Sequence, residues 1–279
     1  VDTTQRKNIS VFRVLLYLIA ITVALLWLFP IVWMIFSSLK PFGTPVAFLD
    51  RVFSPPFTLD NYFLLPQRAP IWRWTFNSVL VAGVVTAGVL VMSSLAGYAL
   101  SKIKFKGSKI LFVVIAAGLM VPIEAIVIPL FLTIIDLNLL NTHVSLIVPS
   151  FAAPLGVLIM KQYYDSIPNE LVEAAAIDGS SYFRTWFSVC LPLSRSALAA
   201  VGIITFTNSW NNFLWPFLAA QNSRMFTLPV GLPVFQDLHV EEFTMPMTAS
   251  VFASIPALLV FIFFQKQIVR GIAMSGIKG

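Results

Sequence analysis

Ser166-Ile167-Pro168-Asn169-Glu170-Leu171-Val172-Glu173-Ala174-Ala175-Ala176-Ile177-Asp178-Gly179 reads as a short helix set between two apolar runs long enough to cross a membrane. Pro168 suits a first-turn position, where its missing N–H costs nothing. Glu170 falls in the first turn, at the positive end of the helix dipole. The three alanines are the strongest helix formers, and Gly179 can take the left-handed conformation that ends a helix. The expected helix, residues 168–179, has about three turns. A chain reversal at Gly179 leads into Tyr182–Val189, whose aromatics suggest an amphipathic stretch lying on a membrane surface. Pro192, after Leu191, then marks the entry to the next apolar run. No catalytic group stands out in this segment. Its alanines give a narrow profile that lets the backbone of another protein approach closely, and a plain surface helix joining two spans is the competing reading.

The flanks fix the class. The chain has 279 residues, 58% of them hydrophobic and only 11% charged, with a mean hydropathy of +0.87. A soluble domain carries about 25% charged residues. The deficit runs along the whole length, which implies an all-α polytopic membrane protein. A span needs roughly 20 apolar residues, and six stretches qualify: about 14–36, 76–100, 110–132, 144–160, 197–220 and 247–265. The fourth is the shortest and holds Pro149 and Pro154, so a kink is expected there. Pro30, Pro122, Pro129, Pro216 and Pro256 lie in or near the others, where neighbouring helices, hydroxyls or water can satisfy freed carbonyls. Val14–Phe36 is too long for a signal-peptide core and lacks a small-residue cleavage site, so it reads as a retained span. With no internal repeat, and no loop long enough to bury its own core, residues 1–279 read as one transmembrane domain.

Lysines and arginines orient it. If the N-terminus is cytoplasmic, the inside holds Arg6, Lys7, Arg13, Lys102, Lys104, Lys106, Lys109, Lys161, Arg184, Arg195, Lys266, Arg270 and Lys278. The outside holds Lys40, Arg51, Arg68, Arg73 and Arg224. That is a positive-inside bias, fixed most firmly by the lysines of 102–109, which read most simply as a topology determinant. Both termini and the loop 161–195 are then cytoplasmic. The outside receives loops at 40–74 and 221–246 and a turn near 136–143. In the first of these, Pro55-Pro56 with Trp72 and Trp74 suggests a surface segment returning through an aromatic anchor, and Tyr163 and Tyr164 suggest an interface on the other side. The net charge of +6 is scattered among loops, so insertion topology explains it better than nucleic acid does.

The lone Cys190 excludes an internal disulfide and a cysteine metal cluster. His143 and His239 have no second ligand at metal spacing and read as surface histidines. No Gly-x-x-x-x-Gly-Lys-Ser/Thr phosphate loop, Gly-x-Ser-x-Gly or His-Glu-x-x-His occurs. A membrane enzyme is therefore disfavoured, no cofactor is expected, and any ATP chemistry belongs to a partner. Glu124 is the one acid well inside a span, a functional candidate by position that could equally cap backbone freed by Pro122 and Pro129. Asn208, Ser209, Trp210, Asn211, Asn212 and Trp215 cluster in the fifth run. Amides and indoles suit a sugar path, and the same amides also glue helices together.

One pattern is more specific. Glu173-Ala174-Ala175, three residues, Gly179, nine residues, Val189, one residue, Leu191-Pro192 resembles the signature loop of binding-protein-dependent ABC importer permeases, with Asp178 before the glycine as in many members. Ser180 stands where alanine is usual and Arg195 where a second proline often follows. The resemblance extends through Leu59-Asp60-Asn61-Tyr62, Phe76-Asn77-Ser78, Ala96-Gly97-Tyr98-Ala99, Ile128-Pro129-Leu130-Phe131 and Leu139-Leu140-Asn141-Thr142. It continues through Trp210-Asn211-Asn212-Phe213, with Asn212 in place of an acid, to Gly276-Ile277-Lys278-Gly279. It narrows to the smaller permease of maltose-type sugar importers. The resemblance implies a bacterial or archaeal inner-membrane protein paired with a second, homologous permease, with an external solute-binding protein delivering the sugar. It also implies a pair of cytoplasmic ATPase subunits and that residues 168–179 are a coupling helix seated in a groove on one of them, with Glu170, Glu173, Ala174, Ala175, Asp178, Gly179, Leu191 and Pro192 in the contact. A self-contained secondary transporter is the alternative, although such proteins usually have more spans and internal repeats.

Overall fold

A computed structural model describes residues 11–46, 48–236 and 243–276, with side chains over 13–46, 48–236 and 243–263. Among the described residues there is helix and no strand. His239 and the terminal Ile277-Lys278-Gly279 lie outside the described residues, as do Arg6 and Lys7. The chain packs into two compact units, one drawn from Val1–Ala69 and Leu232–Phe252, the other from Pro70–Gly231 and Ala253–Gly279.

In the first unit, α1 (Val11–Ser38) is followed by α2 (Leu49–Phe53) and α3 (Asp60–Arg68), helices inside what the sequence reads as loop 40–74. Every side chain of α1 from Arg13 to Val32 is exposed, as expected of an apolar helix that meets lipid or another protein. Its C-terminal end, by contrast, is tied down. Asn61 Nδ2 donates to the carbonyls of Ser38 (3.2 Å) and Lys40 (2.6 Å), and Ser38 Oγ meets Tyr62 OH at 2.7 Å. Thr248 Oγ1 donates to the Ser38 carbonyl as well (3.2 Å). Lys40 is buried, donating to the carbonyl of Ser54 with its amine 4.4 Å from the Phe57 ring centroid. Burial lowers its pKa below the ordinary lysine value.

The second unit is built on α4 (Ile71–Lys102), the longest helix here without an internal proline. Its 32 residues span about 48 Å, more than the roughly 30 Å of a hydrocarbon core. After it come α5 (Ser108–Ala117, extended by a 3-10 turn, Gly118–Met120), α6 (Ile123–Asp136) and α7 (His143–Ile147, extended by Val148–Phe151). Next are α8 (Pro154–Asp165), α9 (Asn169–Ile177), α10 (Tyr182–Thr185), a π-helical turn (Trp186–Cys190) and α11 (Leu191–Leu193). The unit closes with α12 (Arg195–Trp210), α13 (Leu214–Ala219), α14 (Leu228–Gly231) and the later part of α15 (Thr244–Gly276). α4 packs chiefly along α8 and α12, over a core that includes Val81, Val85, Val89, Met160, Tyr164 and Val201. Gly97 sets the approach: a Cβ there would lie 2.8 Å from both the Lys161 nitrogen and Met160 Cβ. Small residues at such crossings are what let membrane helices touch backbone to backbone.

Among the described residues, three helical segments are long and apolar enough to cross a membrane alone: Arg13–Ser38, Ile71–Lys102 and Thr244–Phe263. The runs expected over 110–132, 144–160 and 197–220 are instead bent pairs, so the total reaches six only if each pair crosses as one span. The first pair turns by 98°, because Pro122 has no N–H to give and pushes Val121 into an extended conformation. The second bends by 42° where Pro154 opens α8, a kink the prolines predict. The third bends by 82° at Ser194, two residues beyond the Pro192 expected to mark the entry, and its straight part stops at Trp210 rather than 220. Two aromatics also change role. Trp74 and Tyr164, read from sequence as interface anchors, are core residues at 1% and 0% exposure, whereas Trp72 is exposed.

Candidate functional site

α9 runs over Asn169–Ile177, slightly shorter than expected, and Pro168 precedes its first turn as the capping residue. Its end is stereochemically complete. Gly179 has φ +77°, its N–H donates to the Ala176 carbonyl at 3.0 Å, and the Ser180 N–H reaches back to the Ala175 carbonyl at 2.9 Å. These are the two crossed bonds of a Schellman cap, which needs the positive φ that glycine tolerates. No side chain of α9 is buried. Glu170, Glu173, Ala174 and Asp178 are exposed, Ala175 is half-buried, and Ile177 is 86% exposed. Beyond the reversal, Ser181 Oγ caps α10 by accepting from the Arg184 N–H. Tyr182, Phe183 and Phe187 face outward while Thr185, Trp186 and Cys190 are buried. The stretch is amphipathic as its sequence suggests, but its inner side packs on protein. Leu191 is half-buried and Pro192 exposed.

Beneath this exposed surface lies a braced base. Tyr164 OH and the Trp186 indole N–H both bond Ser94 Oγ of α4, at 2.6 and 2.9 Å, and Ser194 Oγ approaches the same phenol at 3.4 Å. Tyr163 OH donates to the Leu193 carbonyl at 2.9 Å. Both arms of the α9 loop therefore meet α4 through satisfied polar groups, and a satisfied buried network holds one geometry. At the corner before α9, Lys161 pairs with Asp165 at 2.7 Å, and Ser101 Oγ donates to the other carboxylate oxygen at 2.7 Å. Lys102 Nζ donates to the Ile167 carbonyl at 2.6 Å and to Asn169 Oδ1 at 2.8 Å. In the sequence these residues carry no signal of their own, because Lys102 is one of four lysines in a basic loop.

The amide cluster is partly dispersed. Asn208, Ser209 and Asn212 line a cleft of about 250 Å³ together with Ser150, Thr205 and apolar residues that include Val85 and Leu119. A lining that mixes hydroxyls and amides with apolar carbons suits a hydroxylated ring. Trp210 lies outside this lining: it is buried, stacks on Phe206 and donates to the Ala253 carbonyl at 3.3 Å. Asn211 is the exposed C-cap of α12, and Glu124 is an exposed first-turn residue of α6, after the Pro122 break. Neither borders the cleft. Trp215 is buried and donates to the Ser145 carbonyl. His143 is half-buried, its ring 3.2 Å from Asn77 Oδ1. Among the described residues no group of three His, Cys, Asp or Glu side chains converges as a metal site would require.

Relatives share this architecture and much of the sequence. The chain is 36% identical over 273 residues to the arabinooligosaccharides transport system permease protein AraQ of Bacillus subtilis, covering 97% of each chain. It is 34% identical to the trehalose/maltose transport system permease protein MalG of Thermococcus litoralis, covering 96% of this chain and 97% of that one. A chain in the crystal structure of a bacterial ABC transporter involved in import of the acidic polysaccharide alginate superposes with a TM-score of 0.82. That match has 23% identity and covers 95% of this chain and 99% of the other. Residues 89–274, which contain α9, its capped turn and all of the cleft lining except Val85, match the family described as the inner membrane component of binding-protein-dependent transport systems. On these grounds the chain belongs to that family and is a multi-pass permease of the ABC importer type.

Proposed function

We propose that this chain is the permease subunit of an ATP-driven importer for a sugar or oligosaccharide, that it forms half of the translocation path, and that it is driven through the loop at residues 168–192. The observation that carries the reading is α9 itself: a capped helix with no buried side chain, standing on a base of satisfied hydrogen bonds. A rigid exposed helix on a short tether passes on motion that a floppy loop would absorb. On this reading α9 lies in the cytoplasm and seats on an ATPase subunit through Ile177, Phe183 and the alanine face. ATP-driven closure of the ATPase pair then shifts it, and the spans follow between two arrangements. A second permease completes the path, and an external solute-binding protein supplies the cargo. The subunit itself does no chemistry. The carbohydrate assignment rests on the relatives' cargoes and on the amides and hydroxyls in the lining of the cleft.

The test uses the assembled complex. Cys190 is buried, so a cysteine placed at Ile177 (Ile177→Cys) gives this chain one accessible thiol for cross-linking. Efficient cross-linking to the ATPase subunit is the expected result. Gly179→Val forces a β-branched residue to positive φ, at a cost of about 1–2 kcal/mol or more. It is expected to lower uptake per ATP hydrolysed or to block assembly. A Gly179→Val complex that assembles and transports normally would remove the coupling role.

A further inference from the structure

The basic loop after α4 supplies more than topology. Ser101 and Lys102, the last two residues of α4, grip the corner that leads into α9, one through Asp165 and the other through Ile167 and Asn169. The Ile167 carbonyl lies outside the helix, before the capping Pro168, whose own carbonyl accepts from Leu171. Lys102 therefore satisfies an acceptor that α9 does not use. Its position runs against the usual electrostatics, since a cation beside a helix N-terminus opposes the helix dipole. Two charge-assisted hydrogen bonds offset that cost, and they restrain an angle between α4 and α9 that burial holds only weakly, because α9 fully buries no side chain and half-buries only Val172 and Ala175. The opposite end of α4 is also gripped. Trp74 Nε1 donates to the Ser223 carbonyl, Asn77 Nδ2 to the carbonyls of Arg224 and Phe226, and Ser78 Oγ accepts from the Leu228 N–H, all at 2.7–2.9 Å.

We propose that Lys102 is a positioning residue for transport: by bridging Ile167 and Asn169 it locks α9 to α4, so that the proline-free helix α4 moves with α9 as one body. This rests on the coupling reading above, and the experiment separates the two.

Complexes carrying Ile177→Cys are prepared with Lys102 intact, with Lys102→Met, with Lys102→Arg and with Asn169→Ala. Three quantities are read on each: cross-link yield to the ATPase subunit, ATP turnover, and solute uptake per ATP hydrolysed. Absence of the cross-link when Lys102 is intact overturns the coupling reading itself. If the cross-link is present, Lys102→Met is expected to keep it while uptake per ATP falls about tenfold, within the usual range of coupling between sites. Lys102→Arg, which can still donate to both acceptors, is expected to restore most of the loss, and Asn169→Ala to give a smaller fall of the same kind. An unchanged uptake-to-ATP ratio in Lys102→Met, or arginine rescuing no better than methionine, overturns the role of Lys102. Should Lys102→Met fail to assemble, exposed Asn169 decides: an unchanged ratio in Asn169→Ala overturns the proposal and a fall supports it.

Discussion

The two ends of α4 are held by different mixtures of chemistry. At the Ile71 end the clamp is mostly neutral and sheltered, with one exposed cation, Arg73, whose Nε also donates to the Arg224 carbonyl at 3.0 Å. Asn77, 1% exposed, donates to two carbonyls while its own oxygen faces His143, and the Trp74 indole and Ser78 hydroxyl complete the set. At the Lys102 end the clamp is ionic and open to water, built from Lys102, Ser101, Asp165 and Lys161 around an exposed helix. A buried neutral bond is costly to break and indifferent to salt; an exposed ionic one is cheap to break and screened. The Ile71 end is therefore built for permanence. The Lys102 end sets an angle without contributing much stability, which suits the positioning role proposed for Lys102.

The largest effect is expected from Asn77→Leu. Leucine approximates the shape but leaves the Phe226 carbonyl and the His143 ring without their partner, and the Arg224 carbonyl with only the exposed Arg73 Nε, at about 2–3 kcal/mol. Thermal unfolding of the purified complex should show the loss equally at low and high salt. A loss that shrinks as salt rises would break the contrast, because it would make the Ile71 clamp electrostatic.

Between the ends, Ser94→Ala should cost less, about 1–2 kcal/mol, since Tyr164 and Trp186 lose the one hydroxyl they share but stay packed in the core. The same variant bears on function. Ser94 joins both arms of the α9 loop to α4, so uptake per ATP should fall along with stability. An unfolding midpoint and an uptake ratio both equal to the parent's would show that the arms are held by packing alone.

How much of this was legible in the sequence differs from piece to piece. The α9 helix and its glycine stop were readable because capping is local: Pro168, the alanines and Gly179 carry the signal within a few residues. Membrane class was readable because apolar length is a bulk property. The bends were only half readable. Pro154 marks a kink, Pro122 merely lies in the third run, and nothing in a linear pattern says that the chain turns by 42° at the one and by 98° at the other. Trp74 and Tyr164 were misplaced because a membrane-interface aromatic and a core aromatic have the same composition signature, and only packing tells them apart. Leu59-Asp60-Asn61-Tyr62, Phe76-Asn77-Ser78 and Leu139-Leu140-Asn141-Thr142 were legible as family-like pieces without a stated role. In the fold each proves to be a polar clamp. Asn61 holds Ser38 and Lys40, Asn77 holds Arg224 and Phe226, and Asn141, at φ +58°, accepts from the N–H groups of Gln221 and Asn222. Such roles depend on partners 21 to 149 residues away in the chain, which no local pattern encodes.

The smallest effect on stability is expected at the Lys102 end, from Asp165→Asn. Its ion pair with Lys161 is an i,i+4 pair whose side chains are 22% and 46% exposed, with the cation on the N-terminal side, the less favourable order on a helix. Such pairs contribute about 0.3–0.5 kcal/mol, and less at high salt because the charges reach water. Asparagine also keeps an oxygen that can accept from Ser101, so that bond survives. The unfolding midpoint of Asp165→Asn should therefore sit within a fraction of a kcal/mol of the parent's at low salt and merge with it at high salt. Uptake per ATP should nevertheless fall measurably, because the corner before α9 has lost one of its ties to Lys161. The informative failure is a variant as destabilised as Asn77→Leu, and as insensitive to salt. In that case the Lys102 end would be a second permanent anchor and the two ends of α4 would be alike, so the contrast between them would be lost.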